Sequence, residues 1–592
     1  MGTASSSLSD YNDQYDNVID VTEAGADNGG NESITPVLED NADDNTLLYF
    51  PEGEYYMDSQ FRFTGFTNFG MVGNDATLVP ANYHDFDDDG DGNYRLFRMG
   101  VDYDPGTDLR IEGFTVDQTA DDTGIRVIEA EVTDGLTIRD IEIEGKHDSG
   151  TWGPLRAVVH NSDGSGLVER FEAPDGGAWE GNTPSDSLWR GPTGILCNEA
   201  NKGKMTFRDC VLGSFPDNGL YAANGSGAIQ VEGGHFQNSL SSNVRIGGKD
   251  SYIENATIII DKESDSGIAQ RGLRVEGGAN IVARNVDIRT NIDNSPAIWV
   301  TSDADDVTVV DSTITARTDG TTNAIFIQES SGRTSIKRTT VDHEAGGSEA
   351  IKIKEGDQPV SLENVTVTGN AATKGTRSAI QNNRDDSEFR NLKVHHGGEA
   401  GRRALTNTGN NVVIYEGDYV SEENALVEAG SGTMIESVSA LARSGNEALR
   451  ITSDAEGVTV TDSHIENGID DSSPDGYEGS NNSWEYDGGD EDDGNSGGDS
   501  SGDSGGDSSG DSGGDSGGDS SGDSGGDSSG DSGGDSGGDS SGDSGGDSGG
   551  DSGGDSGGDS SGDSGGDSSG DSGGDSGGDS GGDTGDDQDD RC

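Results

Sequence analysis

The sequence predicts an all-β fold: a single-stranded, right-handed parallel β-helix solenoid, with an N-terminal cap and a disordered acidic C-terminal tail. Three observations predict it. A six-residue unit recurs through residues 203–467, and its eleven copies from Phe207 to Val460 lie about 25 residues apart. A second, shorter strand accompanies each unit. Apolar residues alternate in both, and no helical spacing competes. A repeat this short cannot bury its own apolar side, so it must stack on its neighbours.

The unit runs apolar residue, any residue, turn residue, two more, apolar residue. It reads Phe207-x-Asp209-x-x-Leu212, Ile253-x-Asn255-x-x-Ile258, Ala283-x-Asn285-x-x-Ile288, Val309-x-Asp311-x-x-Ile314, Leu362-x-Asn364-x-x-Val367 and Phe389-x-Asn391-x-x-Val394. Weaker copies start at Val231, Ile336, Ile414, Ile435 and Val460. Asn, Asp and Gly prevail at the third position, where a sharp bend favours residues that tolerate left-handed backbone angles. A β-sandwich would also alternate, but it has no reason to keep one register through eleven copies. The second strand appears as Gly219-Leu220-Tyr221, Asn243-Val244-Arg245, Gly272-Leu273-Arg274, Ala297-Ile298-Trp299, Ala324-Ile325-Phe326 and Ala350-Ile351-Lys352, and continues to Arg450. Its middle residue is apolar and points inward, so the residue after it points outward.

In chain order, residues 1–14 read as a flexible N-terminus and residues 15–57 as a cap. The cap holds a strand at Val18-Ile19-Asp20-Val21 and a Gly25-Ala26-Asp27 turn. A helix is predicted over 32–41, with Pro36 tolerated near its first turn, followed by the strand Leu47-Leu48-Tyr49-Phe50-Pro51-Glu52-Gly53-Glu54-Tyr55. This opening resembles the pectate-lyase-like superfamily. The resemblance implies a right-handed β-helix; it does not identify an activity. The β-helix is expected over 58–470, with early coils at Ile111 and Ile138. A loop insertion at about 146–202 carries Trp152, Trp179 and Trp189. Loops leaving one face of a solenoid are common binding elements. Residues 471–592 are expected to be a disordered tail, since the Ser-Gly-Gly-Asp tandem that fills most of it has no apolar residue to bury.

Charge narrows the partners. The chain has 115 acids and 36 bases. Residues 487–592 hold 31 acids and one base, which leaves the preceding 486 residues at a net −49. Only ten of the bases are Lys. Asp-rich, Lys-poor composition resembles proteins of extreme halophiles, whose salt screens such charge, and a haloarchaeal source is expected. Nucleic acid, itself a polyanion, is excluded as a partner. No stretch is apolar for membrane-spanning length. The small residues Gly2-Thr3-Ala4-Ser5 read like the region after a removed export signal, so an extracellular or cell-surface setting is expected. Three cysteines make no disulfide framework; Cys197 and Cys210 read as packing residues and Cys592 as a free thiol.

The candidate site is the outward column of the second strand: Tyr221, Arg245, Arg274, Trp299, Phe326, Lys352, Gln381, Thr406, Val427 and Arg450. It carries four bases, three aromatics and no acid, in a body of strong negative charge. Aromatic faces suit sugar rings, and Arg holds carboxylates by paired hydrogen bonds. An acidic polysaccharide or cell-surface glycan is the expected partner. Tyr221, Trp299, Phe326 and Glu276 are the candidate substrate-binding residues. If the protein is an enzyme, the resemblance implies β-elimination, with Arg245 or Arg274 as base, Lys352 a weaker candidate, and Asp217 the nearest acid. Paired carboxylates for hydrolysis are missing from this column. Asp87-x-Asp89-x-Asp91 resembles half of a calcium loop, so Ca2+ is the one cofactor the sequence raises. The alternative is a non-catalytic surface or adhesion protein whose solenoid is a rigid arm.

Overall fold

The computed structural model describes residues 11–87, 94–184, 190–263, 269–371, 378–398 and 401–485. They form a parallel β-solenoid of about 16 turns. In most coils from Lys204 to Ala371 two strands flanking the bend belong to a 27-stranded sheet, and elsewhere, as in Glu388–Gly398, one strand runs through the bend; a further strand of each coil belongs to a 16-stranded sheet that runs from Phe61–Phe63 to Ile469–Asp471. Every pairing between coils is parallel, as in Leu273–Val275 on Ile298–Val300.

The bend is left-handed where the repeat requires it. Backbone φ is +51° at Asp209, +59° at Asn255, +50° at Asn285, +54° at Asp311, +54° at Asn364 and +50° at Asn391. Such angles cost a side chain with a Cβ roughly 1–2 kcal/mol, and Asn and Asp reduce the cost by local hydrogen bonding. Side chains at the bend also bond to the coil beneath: Asn285 Nδ2 donates to Asn255 Oδ1 at 2.7 Å, and Asn391 Nδ2 to Asn364 Oδ1 at 2.6 Å. Arg170 and Arg338 occupy the same position with φ of +49° and +45°. Each makes a two-point ion pair to the Asp one coil below, Asp140 and Asp311 respectively.

Inward residues stack in columns. Phe207, Val231, Ile253, Ala283, Val309, Ile336 and Leu362 pair in register and are buried in one continuous core. The cap places its helix at Thr35–Asn41, shorter than expected, with Pro36 in the first turn and Leu38 buried. Residues 146–202, expected as loops, contain a further coil with strands Leu155–Val159 and Ser165–Ala173. Arg170 at its bend hides the repeat. Residues 471–485, expected in the tail, continue the solenoid with a strand at Glu478–Ser480; residues 486–592 lie outside the described residues. Cys197 and Cys210 are buried free thiols, and burial pushes both up to about 12. Among the described residues, no helix is long and apolar enough to cross a membrane.

Two buried polar devices lock the coils. Arg384 is fully buried and has no acidic partner among the described residues. Its guanidinium donates to the carbonyls of Lys354, Ser331, Gly332, Gln358 and Gln328, at 2.8–3.2 Å, and to Ser331 Oγ at 2.7 Å. It thereby ties together the turns of three coils. The second device is an inward ladder of Asn382, Asn407 and Glu428. Asn382 Nδ2 donates to Asn407 Oδ1 at 2.7 Å, and Asn407 Nδ2 to Glu428 Oε1 at 2.8 Å. Burial pushes the Glu428 carboxyl up from 4.5 to about 8, although the Gly430 N–H at 2.6 Å favours the charged form.

Replacing Arg384 with Leu strands five carbonyls without their donor. At about 1–3 kcal/mol for each unsatisfied group, Arg384→Leu should cost at least ~3 kcal/mol in denaturant unfolding; a loss below ~1 kcal/mol would show that the staple is dispensable. Because the folded Glu428 carboxyl titrates above its unfolded value, its stabilising contribution is full below the unfolded pKa and lost as pH rises through the folded one. Glu428→Gln should therefore gain thermal stability over the native protein from about pH 5 to about pH 9. A gap that stays constant over that range would refute the assignment.

Candidate functional site

The outward column forms in the 16-stranded sheet with the register the alternation requires. Tyr221 pairs with Arg245, Arg245 with Arg274, Arg274 with Trp299, Trp299 with Phe326 and Phe326 with Lys352. Gln381, Thr406, Val427 and Arg450 continue it. Successive members are about 4.8 Å apart, the spacing of paired strands.

The side chains make a connected surface. The Arg245 guanidinium lies over the Tyr221 ring, 4.0 Å from its centre. Arg245 and Arg274 share one carboxylate, Glu276, with Arg274 Nη2 at 2.6 Å. Glu276 is 7 % exposed, so it acts as a built-in counter-ion beneath the two cations. Trp299 and Phe326 meet edge to face, with ring centres 4.9 Å apart. Trp299 Nε1 donates to Gln328 Oε1 at 3.1 Å, which fixes the indole plane. Lys352 Nζ lies 3.3 Å from the buried Glu349.

Two functional candidates escaped sequence reasoning because neither lies on the column. Arg271 precedes its strand and reaches over the Trp299 ring, 4.2 Å from the centre, while donating to the Ser241 carbonyl at 3.2 Å. Arg190 leaves the 146–202 segment and donates to Ser241 Oγ at 2.9 Å. Arg245, Arg271 and Arg274 therefore gather around Glu276, and Arg190 adds its charge beside Arg271 with Asp217 as its acidic neighbour. Burial first, and then the charges of Arg274, Arg190 and Arg245, pull the Arg271 pKa down to about 10 against the opposing pull of Glu276. Asp217 lies at the edge of this group, and its carboxylate accepts from Thr193 Oγ1 at 2.8 Å.

The column also extends towards the N-terminus, through Leu196, Arg156, Glu129, Arg98 and Arg62. Here Glu129 takes Arg95 at 3.0 Å and also Arg126. Burial raises its pKa, but the arginines outweigh it and hold the carboxyl at about 2. Asp102, Glu131 and His160 present ligand atoms within 4.8 Å of one another. Arg156 already sits 2.5 Å from Glu131 and opposes a metal there. Of the expected calcium loop only Asp87 is described, and its backbone pairs with Asp58 and Gln60. Asp89, Asp91 and Trp189 lie outside the described residues.

The geometry limits the chemistry. Glu276 and Glu349 belong to coils three steps apart, at least about 14 Å at the strand spacing. Carboxylates that hydrolyse a glycosidic bond stand roughly 5–9.5 Å apart. A recess of about 440 Å3 opens on another wall, around Arg289, Thr315 and Arg317. Its charges are paired among themselves, Arg289 with Asp287 at 2.5 Å and Arg317 with Asp342, so it offers an anionic ligand less than the column does.

No protein-family model matches this chain, and no curated protein does. Solved structures with a similar fold include the catalytic unit of a GH87 α-1,3-glucanase from Streptomyces thermodiastaticus (15 % identity, TM-score 0.39). The alignment covers 66 % of this chain and 65 % of the glucanase, so the chain spans just under two-thirds of that structure. The surface adhesin PfbA of Streptococcus pneumoniae is 13 % identical, with 68 % of this chain and 99 % of the adhesin covered at a TM-score of 0.33. The Gp54 tailspike of an Acinetobacter baumannii phage, solved with capsular saccharide, is 9 % identical over 76 % of this chain and 80 % of its own, at a TM-score of 0.35. Function has to be argued from this chain's own side chains.

Proposed function

We propose that the outward column from Tyr221 to Lys352 is a binding face for an acidic polysaccharide or cell-surface glycan. One observation carries the reading: Arg245, Arg271 and Arg274 surround the carboxylate of Glu276 beside the Trp299–Phe326 pair, on a body of net −49. The Arg245 and Arg271 guanidinium carbons lie 4.0 and 4.2 Å from the Tyr221 and Trp299 ring centres, and such contacts contribute about 0.5–2 kcal/mol while presenting cations to carboxylate or sulfate. Trp299 and Phe326 supply faces for the sugar ring. Such a polymer is met outside the cell, which supports an extracellular or cell-surface setting.

A second reading, cleavage by β-elimination, is favoured by Arg271. Its lowered pKa brings a guanidinium nearer to proton acceptance, whereas Arg245 and Arg274 are both tied to Glu276. In this reading Arg271 takes the proton, Arg245 and Arg274 hold the uronate, and Lys352 and Asp217 flank them. Calcium, if required, is not assigned to a residue. Without cleavage, the same face serves a surface or adhesion role.

Binding of polygalacturonate, compared with a neutral glucan over a range of salt, tests the first reading. Arg245→Ala with Arg271→Ala should weaken polygalacturonate at least tenfold, about 1.4 kcal/mol, while Arg289→Ala on the other wall should leave it unchanged. Equal affinity for the neutral polymer would end the acidic-ligand reading. Release of unsaturated uronate with calcium present decides the second: binding without new chain ends leaves a binding protein.

A further inference from the structure

The core contains a second fully buried arginine, Arg402, and it differs from Arg384 in one respect. Every nitrogen of the Arg384 guanidinium reaches an oxygen. Arg402 is equally buried, at 0 % exposure, yet its Nη1 and Nη2 meet no acceptor among the described residues. Its Nε donates to His396 Nδ1 at 3.2 Å. An unsatisfied charged donor inside a protein costs more than a neutral one, because the lost hydration of a charge is larger.

The surroundings fix the sign of what would satisfy it. His396 Nδ1 lies 3.2 Å from both Arg402 Nε and the Gly397 carbonyl, and its Nε2 faces His343 O at 3.1 Å and His343 Nδ1 at 3.3 Å. His343 in turn carries its proton on Nε2 and donates to the Thr322 carbonyl at 2.9 Å. Burial first, and also the Arg402 charge, hold both imidazoles below the ordinary histidine range, so both are neutral. Gly369 lies between the two histidines in the ladder, where a Cβ would come within 2.0 Å of the His343 carbonyl. Neither ring can balance the guanidinium. The carboxylate that acts on Arg402, Glu349, is shared with Lys352 at 3.3 Å and with Asn323. Two cations therefore share one acid, Arg402 inside the core and Lys352 on the outward wall.

We propose that Arg402 Nη1 and Nη2 hold a small monovalent inorganic anion of halide size, enclosed in the core beside His396. A halide accepts one N–H from each of the two free NH2 groups and adds negative charge; a neutral water accepts the N–H groups but adds no charge. A carboxylated sugar is excluded by enclosure, because Arg402, His343 and His396 are all at 0 % exposure. The site lies inside the core and touches the outward column only through Glu349, which Lys352 also pairs.

The full chain crystallised with bromide in place of chloride should show an anomalous peak in contact with Arg402 Nη1 and Nη2. Water there, with no anomalous signal, would overturn the proposal. In solution, exchanging gluconate for chloride at fixed ionic strength and pH should raise the unfolding temperature saturably. Arg402→Met should abolish that rise, and Arg450→Gln on the outer face should retain it. A chloride effect of equal size in Arg402→Met would overturn the proposal as well. If Arg402→Met does not fold, the bromide crystal decides alone.

Discussion

Parallel, in-register pairing between coils governs this molecule. It places residues some 25 positions apart in sequence one strand spacing apart in space. Each coil then inherits the side chain beneath it as a neighbour, whatever the chain between them does. The apolar columns become a core, the bends become stacks of Asn, Asp and their ion-pairing substitutes, and one outward column becomes a cationic and aromatic wall. None of these features exists within a single coil.

The same constraint explains how a strongly acidic body concentrates cations. On the bend face, arginines are spent on the Asp of the coil below, as Arg170 is on Asp140 and Arg338 on Asp311. On the wall around Trp299, three arginines meet one glutamate. The difference lies in which column an arginine enters, because stacking offers a carboxylate in one and a ring in the other. Internal arginines follow a third pattern: Arg384 is neutralised by carbonyl dipoles instead of by charge. Glu276 and Glu349 sit under the wall rather than in it, so they orient cations without cancelling the character of the surface.

Much of this was legible before the coordinates. Phe207, Ile253 and Val309 repeat with a bend residue two positions on, and that pattern alone defines the coil and the direction of each side chain. Tyr221, Arg245, Arg274 and Trp299 fall on one wall for the same reason. What escaped did so for physical reasons. Arg170 satisfies the left-handed bend through an ion pair to Asp140, so a pattern built on Asn, Asp and Gly passes over its coil. Arg271 and Arg190 reach the wall from outside the strand, and alternation describes only residues within one. Arg384 and Arg402 look like ordinary surface arginines in sequence, because nothing local announces that the chain will close over them. The last coil, near Glu478–Ser480, lacks the apolar residues that mark its predecessors.

The coils are interchangeable modules at their interfaces, since each presents the same parallel edge above and below. Trp299 and Phe326 occupy the two coils between Arg274 and Lys352. The fold therefore works as a ruler with a fixed graduation. Loss or duplication of one whole coil would move the charged groups at either end closer or farther by a single graduation, while every stacking contact remained possible. Length selectivity for a polymer is thus open to change by copying a unit of the gene, without inventing a new core.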